Sequence, residues 1–173
     1  MNENYKIPNN AVVLLVGIAG SGKSTLTKKA FENNAFIVSS DECRKEICGN
    51  EANQSVNAQA FELFYKKIED GILEKKQVIA DATNLDKFSR DKIYDIAKRY
   101  NVPIYALVFN ISLDKIKEQN KMRERVVPEY VIDNMSKKMQ IAYYQISEEI
   151  PTENIVDIIN CNDIKSINRK KSR

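Results

Sequence analysis

Hydrophobic positions alternate along the chain between two rhythms. Residues 11–16 (AVVLLV) are a continuous apolar run with β-branched members, the pattern of a strand buried on both faces. A glycine-rich turn follows, then a helix with Leu26, Ala30 and Phe31 on one side. Residues 35–39 (AFIVS) read as a second short strand, with a short helix starting near Ser39 to Asp41. After a polar loop at 49–55, the residues Val56, Ala60, Phe64, Ile68 and Ile72 recur at helical spacing, and Phe61 and Tyr65 widen the stripe. That period predicts a long amphipathic helix. Residues 77–81 (QVIAD) predict a third strand, and Ile93, Ile96, Ala97 and Tyr100 mark another helix. Pro103 to Phe109 reads as a fourth strand, followed by a helix from Leu113 to about Met122 with Ser112 as its N-cap. Ile132, Met135, Met139, Ala142, Tyr143 and Ile146 line a last helix, which Pro151 ends before a fifth strand at 155–159.

Strands alternating with helices predict an α/β fold, a parallel sheet covered on both faces. Ligands of such sheets sit at the carboxyl ends of the strands, here just after residues 16, 39, 80 and 109. At 173 residues the chain is expected to be a single domain, with its core over 11–160. The basic tail at 163–173, with Arg169, Lys170, Lys171 and Arg173, reads as frayed and solvated.

Composition narrows the chemistry. With 43% hydrophobic and 29% charged residues, the balance is that of a soluble globular protein. No apolar run reaches the roughly 18 residues of a membrane span. The opening MNENYKIPNN lacks the layout of a signal peptide. A cytoplasmic location without a membrane partner is the expectation. Cys43, Cys48 and Cys161 have no paired CxxC spacing, which argues against a disulfide framework and a zinc site. The chain has no histidine, so any general base must be a carboxylate, a lysine, a tyrosine or a cysteine. A net charge of +3 permits nucleic-acid binding without indicating it.

The first strand runs into Gly17-Ile18-Ala19-Gly20-Ser21-Gly22-Lys23-Ser24-Thr25, a full GxxxxGK[ST] match between a strand and a helix. Glycines let the backbone curl so that its N–H groups converge on an anion, and the helix N-terminus adds partial positive charge. Lys23 is placed to bridge the β- and γ-phosphates, and the Ser24 hydroxyl to meet magnesium. The bland alternative is a glycine-rich turn that binds nothing. No NKxD tetrad for guanine is present, so ATP is the favoured nucleotide.

Beyond the second strand lies Ser39-Ser40-Asp41-Glu42-Cys43-Arg44. Asp41 is a candidate general base opposite the γ-phosphate, since phosphoryl transfer asks mainly for positioning and electrostatics. Arg44 falls on the same helical face, and its fork suits a phosphate on the acceptor. Ser39 with Glu42 equally fits a capping box, in which Asp41 merely favours a helix N-terminus. Val78-Ile79-Ala80-Asp81 has the form of a Walker B strand, whose terminal acid binds magnesium or its waters. Thr83 and Asn84 follow, and an acid and amide capping the next helix are the competing reading. Lys121-Met122-Arg123-Glu124-Arg125, ahead of Pro128, is either a lid over ATP spanning about 121–130 or a solvated charged turn.

The set GIAGSGKST, SSDECR, VIADATN, VFN, NKMRER and EYVI resembles the kinase module of bacterial polynucleotide kinase-phosphatase, over about residues 11–160. The resemblance implies a P-loop kinase fold with a five-stranded parallel sheet in the order 2-3-1-4-5, helices on both faces and a small helical lid. It implies an enzyme that uses ATP and magnesium to phosphorylate the 5′-hydroxyl of an RNA or DNA end. Lys23 and Ser24 would hold the phosphates and magnesium, with Asp81 as a second metal contact. Gly17, Gly20, Ser21, Gly22 and Thr25 would complete the nucleotide cradle. Asp41 would be the general base, and Arg44 would grip the phosphate on the 3′ side of the acceptor nucleotide, with Asn84 also on the acceptor. Arg123 and Arg125 would contact ATP from the lid, and Gln54 would approach the donor phosphates. The lid is one residue shorter than the family's, and the family's phosphatase and ligase modules are not in this sequence. A homodimer is left open. Two rivals stand beside this expectation: a kinase for a nucleoside, sugar or antibiotic, and an ATP-hydrolysing switch or binding module.

Overall fold

A computed structural model describes residues 5–31, 35–159 and 167–170, with side chains described over 6–31 and 35–159. Cys161, Lys171 and Arg173 lie outside the described residues. The chain forms β1 (Tyr5–Pro8), β2 (Val12–Val16), α1 (Lys23–Phe31), β3 (Ala35–Ser39), α2 (Ser40–Cys48) and α3 (Asn57–Leu73). It continues through β4 (Gln77–Asp81), α4 (Lys87–Arg99), β5 (Ile104–Phe109), α5 (Leu113–Lys121), α6 (Glu129–Glu149), β6 (Ile155–Ile158) and β7 (Ile167–Lys170).

The apolar runs sort themselves by burial. Every residue of β2 is fully buried, because the strand has neighbours on both edges and helices on both faces. The main sheet is parallel and five-stranded, in the order β3-β4-β2-β5-β6. With β1 set aside, this is the expected 2-3-1-4-5. The α3 stripe behaves as its period requires: Ala60, Phe64 and Ile68 are completely buried, while Phe61 and Tyr65 pack at its margin. Phe61, Phe64 and Tyr65 meet at ring-centroid separations of 5.6–6.0 Å.

Two strands depart from the sequence expectation. Tyr5–Pro8 and Ile167–Lys170 pair in parallel as a separate two-stranded sheet. The tail expected to fray over 163–173 therefore contains a strand at 167–170, because the polar N-terminal segment supplies a backbone edge for it. Ile7 anchors that edge in the core at 1% exposure. The Pro8 carbonyl accepts from Ala11 N at 3.1 Å and from the Gln77 side chain at 3.0 Å, tying β1 to the starts of β2 and β4. Among the described residues, no helix is long and apolar enough to cross a membrane.

Strand order places the chemistry. β3, β4 and β2 lie side by side, with Ser39 opposite Asp81 and Ala80 opposite Leu14. Their carboxyl ends thus present, in sequence across the sheet, the α2 start with Asp41, then Asp81, then the glycine-rich loop.

Candidate active site

The loop at 17–25 takes the shape its glycines permit. Gly20 and Gly22 have φ of 82° and 94°, a region in which side-chain-bearing residues are strained. At Gly17 the constraint is space: an added Cβ would lie 2.8 Å from Ser21 Oγ and 2.9 Å from Phe109 Cβ. The Lys23 ammonium curls back to donate to the Gly17 and Ile18 carbonyls, both at 2.9 Å, and only 8% of the residue is exposed. Thr27 Oγ1 donates to the Lys23 carbonyl at 2.7 Å and fixes the first turn of α1. Ser24 and Thr25 stand exposed at the head of that helix, and Ser21 is buried.

Asp81, at the tip of β4, links the loop to the neighbouring strand. Ser24 Oγ donates to Asp81 Oδ2 at 3.4 Å. Burial raises the Asp81 carboxyl above its ordinary value; Lys23 opposes that rise, Asp41 adds to it, and the Ser24 bond opposes it. Lys23 and Asp41 therefore both bear on the Asp81 carboxyl. A partly desolvated carboxylate beside an exposed hydroxyl fits magnesium, which takes one or two protein oxygens and keeps several waters. Among the described residues no cluster of three or more His, Cys, Asp or Glu side chains gathers to hold a metal alone.

Asp41 and Arg44 form an ion pair on α2. Ser39 caps the helix, accepting from Glu42 N at 3.4 Å, and that cap sets where the first turn begins. Capping and site geometry coexist: the cap fixes α2, and α2 points Asp41 outward. The Asp41 side chain is 57% exposed, whereas that of Arg44 is 9% exposed. Arg44 Nε donates to Asn57 Oδ1 at 2.8 Å, and Asn57 Nδ2 donates to Gln54 Oε1 at 2.8 Å. Gln54, expected beside the donor phosphates, is thus bonded into the Arg44 side of the site.

The segment expected as a small helical lid is a loop between α5 and α6, pinned at its base. Asn120, 5% exposed at the end of α5, donates from Nδ2 to the Val127 carbonyl at 2.7 Å and accepts from Val127 N at 2.9 Å. Residues 121–126 between these anchors are exposed. Arg123 leans over the phosphate loop, its Nη1 3.5 Å from the position of a Cβ at Gly20. Arg125 is exposed on the same loop.

Asn84 requires a correction. It was expected on the acceptor, yet it is 3% exposed, and its Nδ2 donates to the carbonyls of Leu15, Ala80 and Ala82. Its φ of 50° turns the chain after β4, and the side chain staples that turn to the end of β2. Through Nδ2, Asn84 braces the floor of the site, while its buried Oδ1 has no hydrogen-bond partner among the described residues.

Sequence reading missed a second element of that floor. Arg90 is completely buried, on the same face of α4 as Ile93 and Ala97. It donates to the Asn84 and Leu85 carbonyls at 3.1 and 2.8 Å, to Gln145 Oε1 at 2.7 Å, and through two nitrogens to Glu149 at 3.0 Å. Tyr94 adds a bond to Glu149 at 2.6 Å; burial, then the Glu149 carboxylate, push its hydroxyl far up. The available signal was an arginine interrupting an apolar helical stripe.

A family model described as an AAA domain, AAA_33, matches residues 12–141. The chain belongs to that family. Solved structures extend the likeness of this AAA domain to the P-loop kinase fold. A structure of the Pnkp1/Rnl/Hen1 RNA repair complex superposes with a TM-score of 0.69 at 19% identity, covering 83% of this chain and 48% of that one. A gluconokinase from Sinorhizobium meliloti 1021 gives 0.59 at 15% identity, over 92% of this chain and 89% of that one. The APS kinase CysC from Mycobacterium tuberculosis, in complex with AMPPNP and APS, gives 0.50 at 16% identity, over 66% and 70%. This AAA domain spans 48% of that RNA-repair chain and 43% of a chain matched in a second Pnkp1/Rnl/Hen1 complex structure, about half the length of each.

Proposed function

We propose that the chain is an ATP-dependent phosphotransferase that moves the γ-phosphate onto the 5′-hydroxyl of a nucleic-acid end. The observation that carries the reading is the side-by-side placement of three groups: the Asp41–Arg44 pair, Asp81, and the loop closed by Lys23. Backbone N–H groups of residues 17–25 bind the ATP phosphates, and Lys23 turns from the Gly17 and Ile18 carbonyls to the β- and γ-oxygens. Ser24 and Asp81 hold magnesium, which when bound neutralises phosphate charge. Arg44 holds a phosphate on the acceptor and leaves Asp41 facing the hydroxyl. As the hydroxyl oxygen bonds to the γ-phosphorus, the bond from that phosphorus to the ADP oxygen breaks, and Asp41 takes the hydroxyl proton. Lys23 and Arg123 offset the charge spread over the transferring group. Arg125 serves the same nucleotide from the lid.

A small-molecule kinase is the second reading, favoured by the likeness to the gluconokinase over most of both chains. Arg44 weighs against a neutral acceptor. Incubation with γ-labelled ATP, magnesium and a panel of 5′-hydroxyl RNA, 5′-hydroxyl DNA, nucleosides and sugars separates the readings. Label on the oligonucleotides supports the proposal. Label confined to a nucleoside or sugar moves the function to the second reading. Release of inorganic phosphate with no labelled acceptor points to an ATP-hydrolysing switch.

A further inference from the structure

We propose that Asn57 is a positioning residue that sets the donor polarity of an acceptor-phosphate subsite formed by Arg44 and Gln54. This inference rests on the reading of Arg44 as an acceptor contact.

The argument is one of forced hydrogen-bond direction. A guanidinium has donors and no acceptor, so only the oxygen of Asn57 can face Arg44 Nε, and it does so at 2.8 Å. The Asn57 amide nitrogen must then point the other way, where it donates to Gln54 Oε1 at 2.8 Å. An amide nitrogen cannot accept, so Gln54 is obliged to turn its oxygen inward. Its Nε2, with two N–H groups, is left on the far side of that exposed residue. The charge of Arg44 thereby dictates the orientation of a side chain that it does not touch.

The local fold supports that task. Asn57 is the first residue of α3, and the preceding N-cap, Val56, offers no side-chain cap, so Asn57 is not spent on closing the helix. Gln54 opens a 3₁₀ turn capped by Asn53, whose Oδ1 accepts from Ser55 N at 3.0 Å and from Ser55 Oγ at 2.6 Å. Arg44 itself is anchored by Asp41 through Nη1 and by Asn57 through Nε, and Nη2 belongs to neither bond. Arg44 Nη2 and Gln54 Nε2 are both donors, one of them charged. That pair matches an anion with several oxygens, a phosphodiester, better than a neutral polyol.

Steady-state kinetics on a 5′-hydroxyl dinucleotide and on the matched nucleoside, which lacks the phosphodiester, test the inference. For the dinucleotide, Asn57→Ala should raise the acceptor KM about tenfold while leaving the ATP KM in place. Asn57→Asp retains an acceptor for Arg44 Nε but no N–H for Gln54, and should also raise the acceptor KM. Gln54→Glu turns an oxygen toward the phosphate and should be worse than Gln54→Ala, a difference that loss of packing alone would not produce. Both Asn57 changes should raise the acceptor KM more for the dinucleotide than for the nucleoside. Wild-type acceptor KM in both Asn57 variants, or a rise confined to the ATP KM, overturns the inference and leaves the proposed kinase intact. Failure of the wild-type protein to label the dinucleotide removes the acceptor reading and this subsite with it.

Discussion

The two walls of the site are built on different principles. The proposed donor wall is one contiguous stretch, residues 17–25, whose groups for holding phosphate would be mostly backbone N–H. The proposed acceptor wall is assembled from side chains of α2, the 3₁₀ turn and α3, joined through Asp41, Arg44, Asn57 and Gln54. A backbone cradle needs only that certain residues lack a side chain, so it leaves a spaced pattern. A relay of side chains leaves none, since its members are set by which helix ends meet. Asp81, bonded to Ser24, and the turn held by Asn84 and Arg90 form the floor beside them.

The contrast is broken most severely at Lys23. Lys23→Ala should reduce phosphate transfer by about 10²–10³ or more, irrespective of acceptor, because it removes charge stabilisation from the donor wall. The shared floor comes next. Glu149→Ala leaves the Arg90 guanidinium buried without its carboxylate and should cost about 3–5 kcal/mol in urea unfolding. A loss near zero would mean that the floor does not depend on that pair. On the acceptor wall, Arg44→Ala should raise the KM of a phosphate-bearing acceptor by about 10–100-fold with the ATP KM unchanged. A comparable rise in the ATP KM would merge the two walls.

The smallest effect is expected from proton linkage at Asp81. Its folded carboxyl keeps its proton to higher pH than the unfolded one, chiefly through burial. Its contribution to stability is therefore fully present below about pH 4 and is lost as pH rises through the raised folded value. Without nucleotide or metal, Asp81→Asn should gain stability relative to wild type over that rise. Thermal melts across the interval check it, and a difference independent of pH would contradict it.

The sheet and the glycine loop at 17–25 were legible in the sequence because their signals are local: an apolar run for β2, a helical period for α3, glycines where φ is positive. The β1–β7 pairing was not, since two short polar segments at opposite ends carry no pattern until they meet. The same limit explains Asn84 and Gln54. The resemblance made each a candidate ligand contact, and only the fold shows that Asn84 Nδ2 bonds backbone carbonyls and that Gln54 is bonded through Asn57 to Arg44. Asn57, Arg90 and Asn120 went unnoticed because their partners lie across turns or on other elements, at separations that leave no regular spacing.

The central claim is that Asp41 serves the acceptor across from the donor wall, and Asp41→Asn tests it most directly. The measurement is transfer of labelled γ-phosphate to a 5′-hydroxyl oligonucleotide, alongside titration of ATP binding on the same variant. The account predicts transfer reduced by about 10²–10⁴ with nucleotide affinity retained. Labelling at the wild-type rate would contradict it.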